Sequence, residues 1–241
     1  MAKVKKKKNI AIVLSAGLSL RFKKNNHRPQ KQLIKINGKT LIEHTLSKFE
    51  KNRKVDEIIL VVNQESQKAQ GKIVKKSGFK KIKKIILGGT TRQESSKNGV
   101  SACNAQESAK ILIHDANRPF VSDSLINKVI KALDIYQAVT IGTPLVETIL
   151  KVNQKNLIVS IPQRADFCCE QTPQGFDYKI IKKAHQLAVK NKFKKATDDC
   201  QLVKKYRLAD IFIIPGEEEN IKITYPLDLF LARQLFKEKE I

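Results

Sequence analysis

Six short apolar runs punctuate the chain, and stretches of helical periodicity separate most of them. That alternation constrains the fold more than any other feature. The runs are Ile10–Leu14, Glu57–Val62, Ile82–Leu87, Ile111–His114, Ala138–Gly142 and Ile211–Ile214. Amphipathic stretches lie near Thr40–Lys51, Gln64–Lys76, Arg92–Cys103 and Ser122–Leu133. Strands alternating with helices predict βα units, hence an α/β, doubly wound, mostly parallel sheet with helices on both faces. Such sheets bind ligands beyond the carboxyl ends of their strands. No repeat or low-complexity linker interrupts the 241 residues, so a single domain over 1–241 is expected, with residues 1–8 as a disordered basic tail.

Residues 145–169 break the rhythm. Leu145–Val152 and Leu157–Ile161 alternate around Asn153-Gln154-Lys155-Asn156, the pattern of an inserted β-hairpin. An isolated hairpin is marginal in water. The segment is therefore expected to pack as an arm on a second subunit and make a homodimer; a flap on its own domain is the alternative.

Polar clusters follow the strands. Asn9–Leu14 runs into Ser15-Ala16-Gly17-Leu18-Ser19-Leu20-Arg21, and Lys31-Gln32 closes the segment. Small residues let backbone N–H groups approach an anion, and oriented amides form a nest. Arg21 and Lys31 add full charges, so the segment reads as a cradle for a nucleoside triphosphate. It matches neither G-x-G-x-x-G nor G-x-x-x-x-G-K-[ST], which argues against a common dinucleotide site and a P-loop. The plain alternative is a turn that only turns.

The second cluster is Gly88-Gly89-Thr90-Thr91-Arg92-Gln93-Glu94-Ser95, where a helix should begin near Thr91. Its N-terminus favours an anion, and Ser95 could reach a base edge or ribose; a Thr cap after a Gly turn is the simpler reading. The third is His114-Asp115-Ala116-Asn117-Arg118-Pro119-Phe120. Asp115, at a strand's carboxyl end, is placed to hold a divalent metal or a substrate hydroxyl, and Mg²⁺ takes one or two carboxylates plus substrate phosphates. Arg118 could pair with phosphate, or with Asp115 in a purely structural turn. The fourth gathers Arg164, Gln171-Thr172-Pro173-Gln174, Thr197-Asp198-Asp199 and Asn220-Ile221-Lys222-Ile223-Thr224. The last alternates like a strand, with Lys222 opposite its isoleucines, either for a task or snorkelling from an edge. The four histidines show no metal-ligand spacing and receive no catalytic role.

The net charge of +24 makes nucleic acid an alternative partner. Yet the lysines are spread over every predicted helix, aromatics are 6% and Trp is absent, so stacking platforms are scarce. No nucleic acid is expected. Four cysteines without a C-x-x-C pair predict reduced thiols and no zinc. No apolar run is long enough to cross a bilayer and none reads as a signal peptide, so a cytoplasmic protein is expected.

Taken in order, SAGLSLRF, QKQL, GKTLIEHTL, GGTTRQESSKNG, HDANRPF, QTPQGF, TDDCQLV and NIKITYPLDL resemble the cytidylyltransferases that act on alditol phosphates. The family includes the 2-C-methyl-D-erythritol 4-phosphate and ribitol-5-phosphate enzymes. The resemblance runs from Asn9 to Phe236 and implies a Rossmann-like fold with a dimerisation arm. It implies attack of the alditol phosphate on the α-phosphorus of CTP, with Mg²⁺, giving a CDP-alditol and pyrophosphate. By the family pattern Ser15, Ala16, Gly17, Gly89, Ser95 and Asp115 hold the nucleotide. Arg21, Lys31 and Lys222 neutralise charge in flight. Asp115, Arg118, Thr148, Arg164 and Thr172 hold the acceptor, with Thr148 and Arg164 serving the neighbouring subunit's site, and Asp115 carries the metal.

The chain also departs from the family pattern. Ser19 replaces a usual glycine, Gln30 separates Pro29 from Lys31, the loop Lys23–Arg28 is long, and Thr90 replaces an acid common in the erythritol enzymes. Ile161-Pro162-Gln163-Arg164 is similar to the ribitol branch, while TRQESSKNG and TDDCQLV are similar to the erythritol branch. Ribitol 5-phosphate is narrowly expected as acceptor because the Arg164 neighbourhood touches it.

Overall fold

The structure is a computed structural model that describes residues 7–18, 22, 30–105 and 109–238. Strands β1 (Asn9–Ser15), β4 (Glu57–Val62), β5 (Ile82–Leu87), β6 (Lys110–Asp115), β7 (Ala138–Pro144), β10 (Cys168–Asp177) and β11 (Ile211–Pro215) form one sheet. Its order is β11-β7-β10-β6-β1-β4-β5. Two small ribbons stand apart: β2 (Lys35–Ile36) with β3 (Lys39–Thr40), and β8 (Lys151–Val152) with β9 (Ile158–Ser160). The helices are α1 (Leu41–Lys51), α2 (Gln67–Ser77), α3 (Arg92–Ala102), α4 (Asp123–Ala132), α5 (Tyr178–Lys190), α6 (Asp199–Lys205) and α7 (Pro226–Glu238).

All six apolar runs are strands, and every neighbouring pair in the sheet is parallel except the two made by β10. The strand alternation of β1 sends Ile10 and Ile12 to one face and Ala11 and Val13 to the other. The first face packs with Val100 of α3, Ile181 of α5 and Leu202 of α6. The second packs with Leu46 of α1 and Ile126 of α4. Helices therefore cover both faces, as the alternation predicts. Gly99 lets α3 lie directly on the sheet, since a Cβ there would stand 2.5 Å from Ile12 Cγ2.

β10 was not read from the sequence. Its Pro173 and Gly175 argue against a central strand, because proline cannot donate to a ladder. The register between β10 and β7 shifts between Gln171 and Gly175, so Pro173 sits where the ladder is already interrupted.

The arm is a hairpin, as expected, but its paired strands are much shorter than the two apolar runs. Within the arm only Lys151–Val152 and Ile158–Ser160 pair, and Leu145–Leu150 belongs to no strand. Val146 is 78% exposed and Leu157 and Ile161 are each 60% exposed, so none of the described residues covers them. A third apolar cluster places Ile223 against Leu41, Phe120 and Phe236. It seats the chain between β11 and α7 over the carboxyl end of β6.

Candidate active site

Asp115 ends β6 and is the centre of the site. The segment 220–224 brings Lys222 to it. That segment is extended but belongs to no sheet, which corrects the strand read from its alternation. It is latched to the loop after β6 instead. Asn117 O accepts from Ile223 N at 2.9 Å, and Asn117 Nδ2 donates to Ile223 O at 2.8 Å. The alternation still works: Ile223 is buried, while the Lys222 side chain is 38% exposed and its Nζ lies 2.6 Å from Asp115 Oδ2.

Arg92 completes the cluster, and the sequence reading gave it no role. It is the first residue of α3, with Nε 3.5 Å from Asp115 Oδ1 and Nη1 2.8 Å from Asp199 Oδ2. A cation at a helix N-terminus opposes the helix dipole and needs acids in front of it. The pair Asp198-Asp199 was the signal that could have found it. Burial alone would raise the Asp115 carboxyl, but Arg92 and Lys222 hold it well below the usual carboxylate range. Burial likewise works against the Asp199 carboxylate, yet Arg92 above all, with His185 and Ser96, holds it down at about 2. Burial opposes the Arg92 charge, and Asp199 and Asp115 reverse this and raise it further.

Behind Asp115 lies a buried prop. His114 Nε2 donates to Arg118 O at 3.1 Å, which leaves Nδ1 to accept from Thr172 Oγ1 at 3.0 Å. The Thr172 hydroxyl in turn accepts from Asp115 N at 3.1 Å. Burial pushes the imidazole down to about 4, so it stays neutral. Thr172 is thus committed to shaping the site.

Among the described residues Arg118 makes no ion pair with Asp115. Its Nη1 donates to Asn220 O at 2.7 Å and its Nη2 to Glu170 O at 3.1 Å, so it is a strut tying β10 to the Lys222 segment. It is buried at 7% exposure, and its Nε has no partner among the described residues. Asn220 reinforces the strut through Nδ2 to Gln171 Oε1 and Thr172 O.

The loop after β1 is shaped from below. Gln32 Nε2 donates to Ser15 O at 3.2 Å and Gly17 O at 2.8 Å, while Ser15 Oγ donates to Gln70. The Ser15 side chain therefore points into the protein. Lys31 is buried at 7% exposure on a short 3₁₀ turn. Gln30, the departure noted above, binds Glu65 Oε2. Ser19, Arg21 and the loop 23–29 lie outside the described residues.

Ala16 faces the Gly88-Gly89 turn; a Cβ on Gly88 would stand 2.5 Å from Ala16 Cβ and 2.6 Å from Ser95 Oγ. Gly89 does not offer its amide freely, contrary to the expectation of an exposed donor. Its N–H donates to Ser95 Oγ at 3.1 Å, and Ser95 donates to Thr91 O. Thr91 also caps α3 by accepting from Glu94 N. The Thr cap after a Gly turn is therefore present.

Thr148 and Arg164 stand apart, both exposed on the arm, where Arg164 Nη1 donates to Val146 O at 2.6 Å. Among the described residues no group of three or more His, Cys, Asp or Glu could hold a metal on its own.

A mostly parallel sheet with a glycine-bounded loop after β1 and a cation-flanked aspartate at the end of β6 is an arrangement that suits nucleotidyl transfer. The family of 2-C-methyl-D-erythritol 4-phosphate cytidylyltransferase, IspD, matches residues 9–238. The chain belongs to this family, and it is a cytidylyltransferase. It is 38% identical over 237 residues to the bifunctional ribulose 5-phosphate reductase/CDP-ribitol pyrophosphorylase Bcs1 of Haemophilus influenzae, across 97% of this chain but 49% of that protein. The chain thus spans about half the length of that relative. It is 36% identical to the 2-C-methyl-D-erythritol 4-phosphate cytidylyltransferase of Clostridium botulinum strain Langeland, across 96% of this chain and 98% of that protein. The ribitol-5-phosphate cytidylyltransferase of Vibrio parahaemolyticus is 32% identical across 96% of this chain. Among solved structures, the 4-diphosphocytidyl-2C-methyl-D-erythritol synthase of Anaerococcus prevotii superposes with a TM-score of 0.82 at 29% identity, covering 96% of each chain.

Proposed function

We propose that the chain transfers CMP from CTP to D-ribitol 5-phosphate. An acceptor phosphate oxygen attacks the α-phosphorus of CTP, the bond to the β-phosphate breaks, and pyrophosphate leaves as CDP-ribitol forms. The observation that carries the acceptor is Ile161-Pro162-Gln163-Arg164 on the arm, ribitol-like in a relative-rich context that includes a CDP-ribitol pyrophosphorylase at 38% identity. The second reading, 2-C-methyl-D-erythritol 4-phosphate, is favoured by TRQESSKNG and TDDCQLV and by 36% identity over nearly all of the Clostridium enzyme.

The chemistry needs charge placed in advance more than it needs a covalent partner. Arg21 and Lys31 serve the triphosphate, and Lys222 serves the charge that develops between the reactants. Ala16, Gly17, Gly89 and Ser95 shape the nucleotide pocket, and a rearrangement of the Ser95 hydroxyl would release the Gly89 amide to the ligand. The donor set fits Mg²⁺ in one way only: Asp115 supplies one carboxylate and the substrate phosphates supply the rest. Bound there, the ion would screen phosphate charge, competing with Lys222 and Arg92 for the same carboxylate.

The exposed apolar arm makes a homodimer in which Thr148 and Arg164 reach the neighbouring acceptor site. No described helix is long and apolar enough to cross a membrane. CTP is incubated with each alditol phosphate in turn and the product mass read out. CDP-ribitol as the faster product is the expected result; a faster methylerythritol product reverses the choice of acceptor, and turnover with ATP equal to that with CTP overturns the nucleotide.

A further inference from the structure

The TDDCQLV segment has no part in the chemistry above, yet its third residue, Asp199, is a carboxylate held by several partners. Asp199 is fully buried at the start of α6. Its Oδ1 accepts from Ser96 Oγ at 2.5 Å and lies 3.2 Å from His185 Nε2. Its Oδ2 holds Arg92 Nη1 at 2.8 Å, and its backbone N–H donates to Gln174 Oε1 at 3.1 Å. Four elements, α3, α5, α6 and β10, therefore converge to fix one carboxylate, and that carboxylate grips one end of the guanidinium whose other end faces Asp115.

We infer that Asp199 is a positioning residue for nucleotidyl transfer: it divides Arg92 between two carboxylates, so that Asp115 keeps one oxygen for Arg92 and the other for Lys222. A guanidinium is a rigid fork that prefers to grip a single carboxylate with two parallel hydrogen bonds. Held at Nη1 by Asp199, Arg92 presents only Nε to Asp115, and at the longer distance of 3.5 Å. Freed from Asp199, the fork is able to close on Asp115 through both oxygens and expel Lys222 from Oδ2. The inference rests on the reading of Asp115 as the centre of the site.

The test is a cycle of four proteins: wild type, Asp199→Asn, Arg92→Gln and the double variant. Asp199→Asn keeps the shape and removes the grip. Misplacement of a reacting group by about 1 Å costs on the order of 10²-fold, so Asp199→Asn is expected to lower kcat by about that factor with KM for CTP little changed. In the Arg92→Gln background the same substitution should cost no more than about twofold, because residues acting through one another are not additive. Ser96→Ala and His185→Gln, which loosen Asp199 while keeping its charge, should each give a smaller loss of kcat and retain the fold, and they carry the test if Asp199→Asn does not fold. Costs that multiply in the double variant, or an Asp199→Asn protein with wild-type kcat, overturn the inference. Wild type alone, assayed with both alditol phosphates, decides the acceptor, and the cycle is a ratio that holds for either one.

Discussion

The surroundings of Asp115 and the arm from Leu145 to Cys169 both carry residues assigned to substrate, and they are built by opposite rules. At Asp115, cations and carboxylates alternate from Lys222 through Arg92 to Asp199, and helices and strands hold each one. A buried charge is tolerated only when paired, and these pairs are all made within one chain. On the arm, Val146, Leu157, Ile158, Val159 and Ile161 are all more than half exposed. A two-stranded hairpin has no second layer on which to bury them. The contrast says that one chain fixes the charges around Asp115 by itself, while the apolar residues of the arm find no such cover among its described residues.

The largest effect should come from breaking the first region. Lys222→Ala removes the cation nearest Asp115, and loss of one preorganised electrostatic donor costs about 10²–10³ in kcat. Stopped assays of pyrophosphate release measure it, with thermal melting as the control for folding. Near-full activity would remove the 220–224 segment from the site. Asp115→Asn should fall in the same range and blunt the response to added Mg²⁺ after chelation.

Arg164→Ala should cost less. A lost hydrogen bond to a charged group is worth about 1.5–3 kcal/mol, or roughly ten- to a hundredfold in kcat/KM for the acceptor. The informative experiment mixes two weak proteins. If the arm crosses a two-fold axis, hybrids of Arg164→Ala and Lys222→Ala subunits contain one site with both residues intact, and activity should recover. No recovery despite proven subunit exchange would place the arm on its own chain.

How far the sequence foretold these two regions follows from what each is made of. The six strands were legible because apolar runs between amphipathic stretches leave few alternatives. β10 was not, because Pro173 and Gly175 hide a strand whose ladder is broken there by a register shift. The motifs located the site, but not the partners within it. Arg118 bridges two carbonyls through Nη1 and Nη2, and nothing in local spacing tells which carbonyls will converge on it. Arg92 needed Asp199, which lies 107 residues away. The arm was legible for the reverse reason: alternation with no neighbour to bury against is a local property.

A smaller effect sharpens the reading of the arm. Val159→Lys and Ile161→Lys place charge on the side that Leu157 shares by strand alternation. If a second copy covers that side, sedimentation should show a shift from dimer to monomer. The fold itself should change by no more than about 0.5 kcal/mol, as for ordinary surface substitutions. A wild-type protein that is already a fully active monomer would end the argument for an arm between subunits.

The last prediction returns to the polar end of β10, where one carboxyl is not matched. Burial, then the nearby Asp198 and Asp115, push Glu170 up to about 7, against the pull of Arg92 and a hydrogen bond from Thr140. Because the folded value lies above the ordinary value of 4.5, the folded state binds more protons than the unfolded state between these limits. Stability must then fall as pH rises from about 4.5 to 7, and the cost levels off above that window. Glu170→Gln keeps the shape of the protonated form without the charge. It should melt with wild type at pH 4 and above it at pH 8, by on the order of 1–3 kcal/mol. A difference in stability that stays constant across that range would mean that Glu170 ionises in the fold as readily as outside it, and that Arg92 balances three carboxylates rather than two.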